Sequence, residues 1–382
     1  MAIALVGADI FDGEARRAGR ALLIEGARVE AVLPEDQVPP GIETRRLAGG
    51  LLAPGFVDIQ VNGGGGVLFN EAPSVEGIRA ICAAHARFGS TALLPTVITD
   101  RPEVTFAAIA AAQAAMEQGV PGCAGIHVEG PFLSLARKGA HDPALIRRME
   151  PDDLAALCAT TVRPLLLTVA PESVSNEQIA ALAAAGIRVS LGHTDTSYDT
   201  ATAAFAAGAS CVTHLFNAMS QLGNREPGLV GAALDSLDVW CGFIPDGQHV
   251  HPAALGTALR AKRDPCKLVA ITDAMPTVGS NEDVFQLNGR TARRENGRLT
   301  LADDTLAGSD LSMIGALRYL VGPLGMPLDD ALRMCALHAA EFLGLFQTHG
   351  RLAAGTRADM VWIDESLDLK GVWIGGEPVA LS

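Results

Sequence analysis

Eight apolar runs of strand length, several of them followed by stretches of helical length, constrain this chain more than any other feature. They are FVDIQV (56–61), TALLPT (91–96), CAGIHVE (123–129), LLLTVA (165–170), IRVSLG (187–192), SCVTH (210–214), VWCGFIP (239–245) and LVAITD (268–273). The segments between include good helix formers such as VTFAAIAAAQAAMEQ (104–118), which follows the capping signal of Asp100 and Glu103. A strand with no polar face must be covered on both sides, and alternation with helices makes such strands parallel. Eight units predict an α/β fold, a (β/α)₈ TIM-like barrel over residues 51–346. Chemistry in such a barrel sits at the C-terminal strand ends.

The two chain ends have a different texture. AIALVGADIFDG (2–13) and RALLIEGARVEAVLP (20–34) alternate short β-type runs with turns, as do GRLAAGTRADMVWID (350–364) and LKGVWIGGEPVAL (369–381). Residues 1–50 plus 347–382 are therefore expected to build one small β-sandwich domain. The formal charge of −14 argues against nucleic acid or an anionic membrane as partner, and any anionic substrate must be met by a few well-placed cations. Seven cysteines without a CxxC pair fit reduced thiols. The start MAIALVGADIFDGE has no basic leader, and no run of 18 apolar residues occurs, so a cytoplasmic protein is expected.

The distinctive polar residues fall at the strand ends. Glu129 closes the third run, His193 and His214 follow the fifth and sixth, and Asp273 closes the eighth. One carboxylate and two imidazoles make a three-ligand site with an open position, suited to Zn²⁺. Water bound there would be acidified, and Asp273 would take its proton. Taken singly, each residue has a plainer reading: a hydrogen-bonded histidine, or a helix cap for Glu129 beside Gly130-Pro131 and for Asp273. Their joint occurrence at one end of the barrel favours the metal site. His127 reads equally as support for a ligand or as barrel filling, and His85 as structural.

The first strand end carries a further clue. FVDIQVNGGGG (56–66) places Gln60 and Asn62 where a two-metal hydrolase of this architecture carries a pair of histidines. Neutral amides are poor ligands. These positions therefore read as a vacant second-metal site, and a single ion is expected.

HVEGPF (127–132), GHTDT (192–196), THLFNAM (213–219), NREPGLVGA (224–232), DGQHVHP (246–252), ITDAM (271–275) and LAGSD (306–310) resemble, in order and spacing, the N-acetylglucosamine-6-phosphate deacetylases of the amidohydrolase superfamily. The resemblance includes LLAPGFVD (51–58) and runs along essentially the whole chain. It implies hydrolysis of the acetamide of N-acetyl-D-glucosamine 6-phosphate, with Glu129, His193 and His214 holding one divalent ion. Zn²⁺ is the first expectation, with Fe²⁺, Co²⁺ or Mn²⁺ as alternatives. Asp273 would be the base that becomes the acid, and His141 would polarise the acetamide carbonyl. Ala140 and His141 would contact the sugar; Asn217, Ala218, Arg225, Asp246, Gly247, Gln248 and His249 would meet the phosphate end. Leu306, Ala307 and Gly308 would line the N-acetyl pocket. The resemblance also implies a homodimer in which a basic phosphate-binding residue crosses the interface. FLSLARKGAHDPALI (132–146) is long and polar enough for a lid. Alternatives are a deacetylase of the N-acetylgalactosamine epimer, a D-aminoacylase, or an inactive barrel used as an assembly module.

Overall fold

The computed structural model describes residues 2–381. Eight parallel strands form the central sheet: β1 (Phe56–Val61), β2 (Ser90–Ile98), β3 (Ile126–Glu129), β4 (Leu165–Val169), β5 (Arg188–Leu191), β6 (Ala209–Val212), β7 (Trp240–Phe243) and β8 (Leu268–Ala270), paired in sequence order. The barrel closes beyond the end of β8. Asp273 N donates to the Gln60 carbonyl at 3.0 Å and Asn62 N to the Ala274 carbonyl at 2.8 Å. Each predicted apolar run holds one strand. The third begins later than its run, at Ile126, because Gly122 (φ +89°) and Gly125 (φ +153°) break the extended path before it.

The helix Pro102–Glu117 corrects one local expectation. Its N-cap is Arg101, with no side-chain cap, and Pro102 supplies the first helical position. Asp100 instead accepts from Asn70 Nδ2 at 2.9 Å and from Arg101 N at 2.7 Å.

Inside the barrel two layers differ in chemistry. Val57, Ile59, Ala92, Leu94, Leu166, Val269 and Ile271 form an apolar cluster closed by Phe342 and Leu343 of the helix Leu337–Leu343. Nearer the strand ends is a belt of polar residues that satisfy one another. His127 lies 2.7 Å from Thr168 Oγ1, Thr168 from Thr213 at 2.7 Å, and Thr213 from Ser190 Oγ at 2.6 Å. His127 thus belongs to the barrel filling beneath the site, and burial lowers its pKa to about 4. His85 binds the Gly63 carbonyl at 2.8 Å and holds the glycine edge to the helix Val75–Ala86.

Strands from both chain ends share one six-stranded sheet. Leu51–Pro54 pairs with Met360–Ile363 on one side and Asp9–Phe11 on the other. A four-stranded sheet from the first 46 residues packs with it through Leu5, Ile10, Leu22, Leu52, Met360 and Trp373. Among the described residues all seven cysteines are free, and no helix is long and apolar enough to cross a membrane.

Asp58 stitches the barrel seam: its buried carboxylate accepts from Thr272 Oγ1 at 2.5 Å and from Thr272 N at 3.2 Å. Burial raises its pKa to about 7 against the opposing effect of those hydrogen bonds. Between an unfolded value of about 3.9 and that value, the folded chain keeps a proton that the unfolded chain has released. The associated stability is full below about pH 4 and is lost as pH rises toward 7. Chemical denaturation should therefore show D58N gaining on the wild type from pH 4 to 7, by on the order of a few kcal/mol. A difference constant over that range would contradict the assignment.

Candidate metal centre and active site

Three buried side chains converge at the barrel mouth. Glu129 is the last residue of β3, while His193 and His214 each lie two residues past the ends of β5 and β6. Glu129 Oε1 is 3.3 Å from His193 Nε2 and 3.0 Å from His214 Nε2, and the two nitrogens are 3.1 Å apart. A tetrahedral Zn²⁺ with bonds of ~2.0–2.2 Å has ligand–ligand edges of about 3.3–3.6 Å, so this triangle fits one cation after a slight opening. Both histidines and Asp273 take left-handed backbone angles (φ 49°, 33° and 54°). Such angles are unfavourable for residues with a Cβ and gather at functional sites. Here the chain bends past each strand end, and the side chains meet across the mouth.

Electrostatics point the same way. Burial alone would raise the Glu129 carboxyl, but hydrogen bonds from His193 and His214 outweigh it and hold its pKa well below the usual range. Burial opposes charge on His214 as well, yet the bond to Glu129 and its charge raise the pKa. A site that draws a proton onto a buried imidazole is one that attracts a cation. Asp273 is pushed the other way, first by burial and then by the Glu129 charge.

Gln60 and Asn62 meet the two carboxylates as donors. Gln60 Nε2 lies 3.3 Å from both Glu129 oxygens and 3.1 Å from Asp273 Oδ1; Asn62 Nδ2 reaches the same Oδ1 at 2.7 Å. An amide oxygen among three carboxylate oxygens would be repelled, which sets the Gln60 orientation. The two amides thus turn N–H groups toward the carboxylates, and their hydrogen bonds to Asp273 fall on Oδ1.

A cavity of about 380 Å³ opens over this cluster. Its lining includes Asn62, Glu129, His193, His214 and Asp273, together with the expected substrate contacts Ala140, His141, Asn217, Ala218, His249, Leu306 and Gly308. His141 Nδ1 is 2.7 Å from Thr99 Oγ1, and burial, then His193, keeps its imidazole neutral by lowering its pKa. Other expected contacts lie elsewhere. Arg225 sits in the exposed run 221–226 and outside the cavity lining. Asp246 backs His249, accepting from its Nδ1 at 2.5 Å and from its backbone N at 2.9 Å. Gly247 supplies the turn (φ +73°), Gln248 N donates to Asp246 Oδ1 at 2.8 Å, and Ala307 is buried behind the lining.

Several lining residues escaped the sequence reading, among them Arg137, Met275 and Leu287. Leu287 belongs to an antiparallel sheet, Val284–Leu287, Arg290–Glu295 and Arg298–Thr300, inserted after β8. Two Asn-Gly pairs, 288–289 and 296–297, were its signal. All four residues have positive φ (51°, 71°, 52° and 75°), as tight hairpin turns require. Arg290 of this sheet donates to the Ala140 carbonyl, tying it to the loop that bears His141.

A model of the amidohydrolase family matches residues 51–379, and one of the NagA composite domain matches residues 3–52. The chain is 45% identical over 332 residues to N-acetylgalactosamine-6-phosphate deacetylase of Shewanella sp. (strain ANA-3), covering 87% of this chain and 84% of that one. It is 34% identical over 360 residues to N-acetylglucosamine-6-phosphate deacetylase of Haemophilus influenzae, covering 94% of each. The crystal structure of N-acetylglucosamine-6-phosphate deacetylase from Pasteurella multocida superposes with a TM-score of 0.95 at 34% identity, over 100% of both chains.

Metal analysis of the purified protein should return one equivalent of divalent cation per chain, and H214A should lose it. Two equivalents, both needed for activity, would contradict the role given to Gln60 and Asn62.

Proposed function

Because the chain belongs to the amidohydrolase family, whose members hydrolyse amide-type bonds with the help of a metal, we propose that it cleaves the acetamide of N-acetyl-D-glucosamine 6-phosphate to D-glucosamine 6-phosphate and acetate. The observation that carries this reading is the meeting of Glu129, His193 and His214 beside Asp273, under the segments expected to bind the sugar.

Glu129, His193 and His214 would hold one divalent cation, with Zn²⁺ first among the candidates; when bound, it supplies a Lewis acid for the acetamide carbonyl. With Gln60 and Asn62 both donating to Oδ1, Asp273 Oδ2 is the oxygen that takes the proton of the attacking water. The same oxygen then delivers that proton to the departing amine. When Thr99 Oγ1 donates to His141 Nδ1, the ring hydrogen sits on Nε2, the tautomer able to donate to the carbonyl oxygen.

The phosphate is met by His249 and the 217–218 turn within one chain. Arg225, exposed on its own chain, would reach the cavity of a second copy, which makes the working unit a homodimer. A planar guanidinium suits phosphate oxygens. A reducing compartment such as the cytoplasm suits the seven free thiols.

A second reading is favoured by one observation: the Shewanella relative, named for the galacto epimer, is more alike in sequence than the Haemophilus one. Comparing kcat/KM on the two N-acetylated hexosamine 6-phosphates decides between them; at least tenfold preference for the gluco sugar is expected, and the reverse preference would transfer the assignment to its epimer. D273N should keep metal and substrate binding while kcat falls by roughly 10²–10⁴-fold. Near wild-type turnover would remove Asp273 from the proton path. R225A should raise KM for the phosphorylated sugar far more than for its unphosphorylated form; equal effects would refute the phosphate contact.

A further inference from the structure

The loop that covers the cavity is also the outer shell of one metal ligand. His193 Nδ1 lies 2.9 Å from the carbonyl of Arg137, at the end of the short 3₁₀ turn Leu135–Arg137. A carbonyl can only accept, so Nδ1 carries a hydrogen, which leaves Nε2, beside Glu129 and His214, as the nitrogen able to lend its lone pair to a cation. The same loop touches His193 at three further places. Ser134 N donates to its carbonyl at 2.9 Å, the His141 ring meets its ring edge-on at 4.3 Å, and a Cβ on Gly139 would lie 3.2 Å from its Cε1. His214 has no such support, since its buried Nδ1 has no hydrogen-bond partner among the described residues.

An ion pair holds the loop down. Arg137 Nε and Nη2 lie 2.8 and 2.7 Å from Asp195 Oδ1, only two residues beyond His193. Asp195 is itself anchored, its backbone N donating to Glu172 Oε1 at 2.8 Å while Thr194 Oγ1 donates to Oε2 at 2.5 Å.

We propose that Arg137 is a positioning residue: its carbonyl sets the tautomer and tilt of His193, and its ion pair with Asp195 keeps that carbonyl in place, so that loop 134–141 and the metal centre close as one unit. The linkage presupposes the metal centre proposed above. Ligand histidines are commonly oriented through their second nitrogen. Here the acceptor sits on the segment that also presents Ala140 and His141 to the substrate, so cation binding and loop order must favour each other by the same factor.

The test measures Zn²⁺ affinity of the full chain by competition with a chelator, with no substrate present. D195A should raise the dissociation constant by roughly 2- to 10-fold. That is less than the ~10–100-fold typical of losing an outer-shell partner outright, because the carbonyl remains. R137D adds a negative charge beside the centre and should still weaken binding, whereas R137D/D195R should restore it. Zn²⁺ should also slow trypsin cleavage after Arg137 and Lys138 of the wild type. Unchanged Zn²⁺ affinity in D195A, tighter binding in R137D, or cleavage indifferent to Zn²⁺ would overturn the proposal. A chain that shows this linkage yet releases no acetate would overturn the deacetylase reading and leave the linkage standing.

Discussion

Two buried carboxylates, Glu129 and Asp273, face one barrel mouth, and their mutual repulsion governs the surrounding chemistry. Neither can stay ionised out of water without donors or cations. The chain meets this constraint with two kinds of group. Imidazoles from His193 and His214 converge on Glu129, and amide N–H groups from Gln60 and Asn62 converge on Asp273 Oδ1. The division separates the two carboxylates chemically. Glu129 becomes a low-pKa group suited to holding a cation, while Asp273 stays a raised-pKa group suited to carrying a proton.

The rest of the barrel serves that arrangement. Beneath the mouth, the polar belt of His127, Thr168, Thr213 and Ser190 is satisfied internally, so its buried polar groups pair with one another. Below it, apolar residues and the helix Leu337–Leu343 close the floor. Above it, loop 134–141 and the inserted sheet 284–300 form the walls, joined by Arg290 to the Ala140 carbonyl. The left-handed backbone at His193, His214 and Asp273 is held by this packing on both sides.

Legibility followed the range of the interaction. The eight strands and the residues closing them could be read because apolar periodicity and strand ends are local properties of the chain. The inserted sheet was equally local, announced by two Asn-Gly pairs, yet its charged strands (RTARRE, burial mixed) lack the apolar alternation that usually marks them. The expected cap at Asp100 failed because a contact distant in sequence, with Asn70, claimed that side chain.

What the sequence determined by itself was the kind of fold and the chemical inventory: eight buried parallel strands, with one carboxylate, two imidazoles and a further carboxylate at their ends. Only the tertiary structure decided how those groups divide their work. Which oxygen of Asp273 is held, which way the Gln60 amide faces, which nitrogen of His193 carries the hydrogen, and that Arg225 stands clear of its own cavity all depend on neighbours far along the chain, such as Asn62 for Asp273 (211 residues apart). Hydrogen bonds and desolvation act over a few ångströms of space, a distance that order along the chain does not encode.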